Sequence, residues 1–283
     1  MAYAGSAAMR VWVRELFMFG LKQARACLFP AMFFAILALS HHLPLGALPR
    51  YDFIFLAAIA AQLLLLALRI ETKKELVVLC GFHLVGLVLE LFKTHPAIGS
   101  WSYPEAAFFR IGTVPLYSGF MYAAVASYMI QAWRLLGLRL RNYPPYSLSI
   151  PLSVAIYVNF FSHHFLPDFR WLLTLAVVVV FWRTTVLFTV TGRERSMPLV
   201  LAFALIGFFI WVAENISTFL GAWTYPDQQV AWTVVSFGKV SSWCLLVIIS
   251  FIIVADLKYV RGRRDPNASA RGRQSPAAGA HAR

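Results

Sequence analysis

Charge is scarce in this chain, and acidic charge scarcer still: 13% of its 283 residues are Asp, Glu, Lys or Arg, and 12 acidic side chains stand against 25 basic ones. Soluble domains carry about 25% charged residues, so an ordinary water-facing surface is excluded. Cysteine is almost missing. Cys27, Cys80 and Cys244 each fall in an apolar segment, and an odd count without an extramembrane pair excludes a disulfide framework and leaves small core residues. The chain has no phosphate-binding Gly-Lys loop, no dinucleotide glycine fingerprint, no Cys-x-x-Cys pair and no nucleophile elbow, so soluble nucleotide or acyl chemistry has no support. No short apolar core is followed by a small-residue cleavage site, so a cleaved signal peptide is not expected.

Apolar side chains are plentiful. They make up 60% of the chain, and the mean hydropathy is +0.69. Runs long enough to cross ~30 Å of hydrocarbon are read at 27–48, 53–68, 76–92, 113–133, 148–166, 171–190, 197–219 and 233–256. The fold class expected is all-α, a polytopic membrane protein of about eight transmembrane helices. An even number of spans puts both termini on one side. With that side cytoplasmic, only Arg50, Lys93, Arg110 and Arg170 fall outside, Arg183 and Lys239 lie within spans, and every other Lys and Arg is inside. This positive-inside bias sets the orientation. The expected location is a membrane, crossed many times, with both termini on its cytoplasmic side. The formal charge of +13 then faces anionic lipid headgroups at the cytoplasmic surface of the bilayer, and no nucleic-acid partner is expected.

Residues 1–25 read as a cytoplasmic interfacial helix, because Val11, Trp12, Leu16 and Phe19 alternate with Arg14, Glu15, Lys22 and Arg25 at helical spacing. Residues 260–283 have too few apolar side chains to fold and read as a disordered basic cytoplasmic tail.

Two motifs recur at one offset. Ser40-His41-His42 returns as Ser162-His163-His164, and Gly99-Ser100-Trp101-Ser102-Tyr103-Pro104-Glu105 returns as Gly221-Ala222-Trp223-Thr224-Tyr225-Pro226-Asp227, both 122 residues on. The order and the spacing are shared, so residues 26–141 and 142–259 read as tandem four-helix repeats. Four crossings per unit make the units parallel, related by an axis near the membrane normal.

The ionisable groups of both units collect toward the outer face. Glu214 is the leading one, since Gly207, Trp211, Glu214 and Thr218 share a helical face, and Gly86, Glu90 and Thr94 repeat the stripe. Two carboxylates near a pseudo-two-fold axis suit acid and base roles, with Asp168 and Lys239 as further catalytic candidates. The plainer reading neutralises Glu90 with Lys93 and Glu214 with Lys239. His41, His163 and His164 are the metal-ligand candidates, but adjacent helical residues point about 100° apart, and capping is the ordinary role. Trp101, Tyr103, Trp211, Asn215, Trp223, Tyr225, Asn159 and Tyr117 are the candidate substrate contacts; for the aromatics, interfacial anchoring is the ordinary alternative. Gly119, Ala123 and Ser127 mark a close helix contact, and Tyr117, Met121, Ala124 and Tyr128 a second packing face. No motif names a cofactor.

The stretches Pro115-Leu116-Tyr117-Ser118-Gly119-Phe120-Met121-Tyr122, Asn159-Phe160-Phe161-Ser162-His163-His164, Trp211-Val212-Ala213-Glu214-Asn215 and Trp223-Thr224-Tyr225-Pro226 resemble the YoaT-like family of uncharacterised bacterial membrane proteins, up to about Tyr259. That resemblance implies a fold family and brings no activity. More distantly, Gly99 to Tyr103 followed by Ile111-Gly112-Thr113-Val114-Pro115-Leu116 resembles the lycopene cyclase domain and carotenoid hydratases. In the cyclases two acidic residues follow Pro-Leu; here Tyr117 and Ser118 stand there. The resemblance implies acid chemistry on a polyene or isoprenoid double bond, with Glu90 and Glu214 as the remaining acids. A membrane-embedded lipid-modifying enzyme is therefore the leading expectation, and a small-solute transporter or channel with parallel repeats is the rival. The topology has its own test. A periplasmic reporter fused at Gly99 and a cytoplasmic reporter fused at Arg141 are both expected to be active, and silence of either contradicts the orientation.

Overall fold

The computed structural model describes the backbone of residues 2–263 and the side chains of 9–252. Of the expected basic tail, residues 264–283 lie outside the described residues. Among the described residues the chain is mostly helical: α1 (Ala2–Ala26), α2 (Leu28–Leu39), α3 (Arg50–Ala67), α4 (Lys73–Lys93), α5 (Ser118–Leu136), α6 (Tyr146–Ser162), α7 (Arg170–Phe181), α8 (Leu199–Phe219) and α9 (Lys239–Arg263). Two small antiparallel sheets complete it. One pairs β1 (Arg110–Ile111) with β2 (Val114–Pro115); the other orders β3 (Arg139–Arg141), β4 (Thr185–Thr189) and β5 (Glu194–Pro198) side by side.

Local chemistry sets the helix ends. Thr72 and Glu75 form a reciprocal cap at the start of α4: the Thr72 hydroxyl accepts from the Glu75 amide at 3.3 Å, and the Glu75 carboxylate accepts from the Thr72 amide at 2.8 Å. Gly137 ends α5 in the left-handed region, at φ +58°, which costs a glycine little.

Each of α2 to α9 falls on one of the expected apolar runs, but not with equal length. Helices α3, α4 and α8 are long and apolar enough to cross a membrane; a fourth qualifies if Met9–Ala26 and Leu28–Leu39, bent by 62°, count as one span. The widest departure is over 171–190. Helix α7 stops at Phe181, and twelve residues make about 18 Å of helix, short of the ~30 Å of hydrocarbon. Arg183 and Thr184 break the apolar run, and the following Thr-Val-Leu-Phe-Thr is β-branched and aromatic. A turn through Gly192, at φ +83°, then folds β5 back on β4. Periodicity does not separate a short buried helix from a strand.

The surfaces of these helices are apolar and open: Leu63, Val77, Val88, Val154, Val179 and Phe209 are all exposed. Exposed apolar faces of this extent mark a membrane-facing or protein-facing surface. Helix α5 is the buried hub, packing against α4, α2, α9 and α1. Its Gly119 lies under the His83 ring, Ala123 packs with Leu79, and Ser127 bonds Glu71, so the small-residue stripe does face α4 and its preceding turn.

Contacts sort the connections to two ends. At one, the segments after α2, α4, α6 and α8 touch: His41 meets the Leu220 carbonyl at 2.8 Å, Arg50 pairs with Glu105 and donates to the Gly221 carbonyl at 2.6 Å, and Lys93 donates to the Phe160 carbonyl at 2.7 Å. At the other, α1 docks on the β4–β5 hairpin. Glu15 pairs with Arg195, Lys22 donates to the Thr189 carbonyl at 2.9 Å, and Phe19 packs on Phe188. The Arg195 guanidinium holds the Glu15 carboxyl below the usual carboxylate range. Glu15, Lys22 and Gln23 of α1 thus meet protein, while Met9, Trp12, Val13, Leu16 and Phe17 stay exposed.

Candidate functional site

Three residues separate Glu90 from the end of α4, and its carboxylate is almost wholly buried, at 2% exposure. A buried charge needs every lone pair addressed. Oε2 accepts from the Trp101 indole at 2.7 Å and from the Tyr103 hydroxyl at 2.7 Å; Oε1 accepts from the Tyr122 hydroxyl at 2.8 Å. The Tyr122 ring reaches this position because Gly86, one turn earlier on α4, leaves the space its own Cβ would occupy, 2.4 Å from the ring.

Glu214 on α8 is equally buried. Its oxygens accept from the Tyr225 hydroxyl and from the Trp243 indole, the latter at 2.5 Å. The parallel with Glu90 is chemical: a tyrosine two residues beyond a tryptophan, in a Trp-x-Tyr-Pro loop, donates to the carboxylate of the preceding helix. Burial and the adjacent carboxylates push the Tyr103 and Tyr225 phenols well above the usual tyrosine range, so both stay donors.

The two loops are joined. The Ser102 amide donates to the Thr224 carbonyl and the Thr224 amide to the Ser102 carbonyl, both at 2.9 Å, an isolated antiparallel pair between residues 122 apart. Across it the Trp101 ring stands edge-on to the Tyr225 ring with centroids 6.1 Å apart. One aromatic unit therefore links a donor of Glu90 to a donor of Glu214. Below it, Tyr117 is fully buried among Tyr51, Tyr103 and Phe33 and donates to the Ala222 carbonyl, and Trp223 packs in the same cluster.

The simpler charge pairings do not form. Among the described residues no Lys, Arg or His nitrogen lies within 4 Å of either carboxylate. Lys93 turns from Glu90 toward the Phe160 carbonyl and His164, and Lys239 sits over the Tyr225 face, 3.0 Å from the centroid.

The family described as Protein of unknown function (DUF817) matches residues 15–251, a stretch that includes both carboxylates and both loops. The chain belongs to this family. It is 54% identical, over 249 residues, to the Uncharacterized protein YoaT of Bacillus subtilis (strain 168), covering 88% of this chain and 94% of that protein. No solved structure matches.

Other residues singled out from the sequence of this DUF817 chain hold the frame together. Asn159 bonds Asp168 at 3.1 Å through its amide nitrogen and the Phe169 amide at 3.0 Å through its oxygen, and Asp168 pairs with Arg170 at 2.9 Å, closing the α6–α7 turn. Burial raises the Asp168 carboxyl, but the Asn159 and backbone bonds and the Arg170 charge outweigh it and hold it below the usual range. Trp211 donates to the Val235 carbonyl at 3.0 Å, and the Asn215 side chain accepts from the Val235 amide at 2.9 Å, so both tether the segment before α9. His41 bonds the Leu220 carbonyl, and His163 caps α6 on the Asn159 carbonyl at 3.0 Å. Among the described residues no three His, Cys, Asp or Glu side chains gather closely enough to hold a metal ion.

Sequence reasoning missed four parts of the arrangement. Tyr122 and Trp243 were not singled out, and only their contacts show them as carboxylate donors. Asp52, wholly buried, accepts from the Phe108 and Phe109 amides at 2.7 and 2.8 Å and so shapes the first loop. Glu71, in the turn before α4, is another buried carboxylate, bonded by Ser127 at 2.5 Å and by Gln62. Replacing Tyr103 by Phe removes one donor from a buried carboxylate, at an expected cost of about 1.5–3 kcal/mol. Unfolding of the detergent-solubilised protein checks this, and an unchanged stability contradicts the bond.

Proposed function

We propose that this chain is a membrane-embedded enzyme that modifies an isoprenoid, a carotenoid or another lipid by carboxylate acid/base chemistry, with Glu90 and Glu214 as the reacting acids. One observation carries the reading: two buried carboxylates, each met by tyrosine and tryptophan donors instead of a cation, sit on segments tied together through Ser102 and Thr224. Ionisable groups within a membrane are costly and mark functional sites by default.

In the step proposed, one carboxyl gives its proton to a carbon–carbon double bond, whose electron pair forms the new C–H bond and leaves a carbocation on the neighbouring carbon. The other carboxylate takes a proton from an adjacent carbon, and that C–H pair becomes the new double bond. Protons balance and no oxidant is required; the product is an isomer, or a ring if the cation first meets a second double bond. The Trp101 face suits a passing cation. The resemblance to the lycopene cyclase domain points the same way. Tyr117 and Ser118 replace its acids, and Tyr117 is committed to the Ala222 carbonyl.

We read the architecture around this site as eight crossings, α2 to α9, that of the short α7 completed by the residues that follow it, in two tandem units over 26–141 and 142–259, in a bacterial inner membrane with both termini cytoplasmic. The sorting of connections to two ends supports the alternation, and the basic residues of α1, β3 and β5 at one end support the orientation. The pairing of the two Trp-x-Tyr-Pro loops supports the duplication.

A small-solute transporter is the second reading, and Glu71 favours it. With Gln62 and Ser127 it places buried polar groups at the opposite end of α4 and α5 from Glu90, as a path through the bundle requires. Mass spectrometry of lipid extracts decides between them. Cells with the wild-type gene are expected to differ in at least one lipid from deletion cells and from Glu90→Gln or Glu214→Gln cells; identical extracts sink the enzyme.

A further inference from the structure

Lys93 is the least expected charge in the molecule. It ends α4 with 2% of its surface exposed, and among the described residues no carboxylate oxygen lies within 4 Å of its Nζ. Its neighbours are the Phe160 carbonyl at 2.7 Å, the His164 Nε2 at 2.9 Å and the face of the Phe160 ring at 4.0 Å. None is an anion. Buried ammonium groups are ordinarily paired, because the lost hydration is not recovered from neutral acceptors alone.

Its surroundings sharpen the imbalance. Arg170, at the start of α7, is held at 2.9 Å by Asp168, which bonds Asn159, the residue before the Phe160 whose carbonyl Lys93 meets. Lys239, at the start of α9, lies over the Tyr225 ring, which stands edge-on to Trp101 in the loop that follows Lys93. Lys239 has Glu214 and Asp227 in its own field, so it is better compensated than Lys93. Three cations from three helix ends therefore converge where the loops meet. The site lies one helical turn from Glu90 on α4 and, through Lys239 over Tyr225, beside the donor of Glu214.

We infer that Lys93, with Arg170 and Lys239, binds a phosphate or diphosphate group, and that this group is the head of the lipid whose chain the carboxylates act on. The second half rests on the proposed acid/base reading; the first does not. Phosphate oxygens supply what Lys93 lacks, several strong acceptors carrying negative charge. Lysine answers phosphate as a point charge and needs no fixed fork. The His164 ring, 3.5 Å from the Ser100 hydroxyl and stacked at 4.1 Å on His163, forms a wall of the same place. Helix ends at a membrane surface are where a lipid head would sit while its chain enters the bundle.

The test uses the full chain in phosphatidylcholine nanodiscs, with farnesyl diphosphate, inorganic pyrophosphate and farnesol as probes and dissociation constants as the readout. Farnesyl diphosphate is expected to bind saturably and to raise the melting temperature. Lys93→Gln should weaken that binding about tenfold, and Lys93→Arg should keep most of it. If Lys93→Gln does not fold, Arg170→Gln and Lys239→Gln carry the test, each weakening the probe severalfold. Pyrophosphate binding as tight as farnesyl diphosphate supports the anion site with a soluble ligand, and a clear preference for farnesyl diphosphate supports a lipid head. Farnesol binding equally well, unchanged affinity in the Lys93→Gln protein, or no saturable binding of either phosphate-bearing probe overturns the inference. Probe binding that depends on Lys93 in a protein that alters no lipid rejects the acid/base reading and spares this site; altered lipids without such binding do the reverse.

Discussion

A carboxylate buried in an apolar bundle has to find its hydrogen-bond donors within the protein, and this requirement organises the molecule around Glu90 and Glu214. Donors of the right reach come from loops that double back over the helix ends: Trp101 and Tyr103 for Glu90, Tyr225 for Glu214. Loops that carry such large aromatic side chains inward must themselves be held. The Ser102–Thr224 pair closes one loop on the other, Asp52 takes two amides of the first, and Trp211 and Asn215 tether the stretch after the second. Each of these contacts becomes intelligible once the carboxylates are buried without cations.

The same requirement explains why the basic residues sit where they do. At the end bearing α1, cations meet acids in ordinary pairs, as with Glu15 and Arg195 or Glu75 and Arg134. At the end bearing the loops, Arg50 has Glu105 and Arg170 has Asp168, yet Lys93 is left with neutral acceptors close to two carboxylates that also have only neutral donors. Ionisable groups left inside an apolar structure without a close partner of opposite sign are costly and rare.

Much of this was legible beforehand, and the failures have physical causes. Apolar runs located every helix from α2 to α9, because burying or lipid-facing side chains is a property of composition over many residues. The run at 171–190 misled because a helix and a strand of apolar residues look alike when both are short; only the pairing of β4 with β3 and β5 separates them. The 122-residue offset brought Trp101, Tyr103, Trp223 and Tyr225 to notice as a set, and three of them donate to the two carboxylates. It could not tell that Trp223 is packing while Trp101 is a donor, because that depends on which way each ring turns. Asp168, Asn159 and Asn215 were chemically plausible site residues whose hydrogen bonds tie turns, a contact that spacing does not foretell. Tyr122 and Trp243 were invisible for the opposite reason: inside a helix, an aromatic residue reads as core.

The account stands on Glu90 and Glu214 belonging to one unit, and a double-mutant cycle measures that most directly. Unfolding free energies of the wild type, Glu90→Gln, Glu214→Gln and the double variant, taken in one detergent, give the coupling between the two positions. Linkage through Trp101, Tyr225 and the Ser102–Thr224 pair predicts a coupling of about 0.5–3 kcal/mol. Effects that add to within about 0.3 kcal/mol would mean two separate carboxylates, and would contradict a shared site.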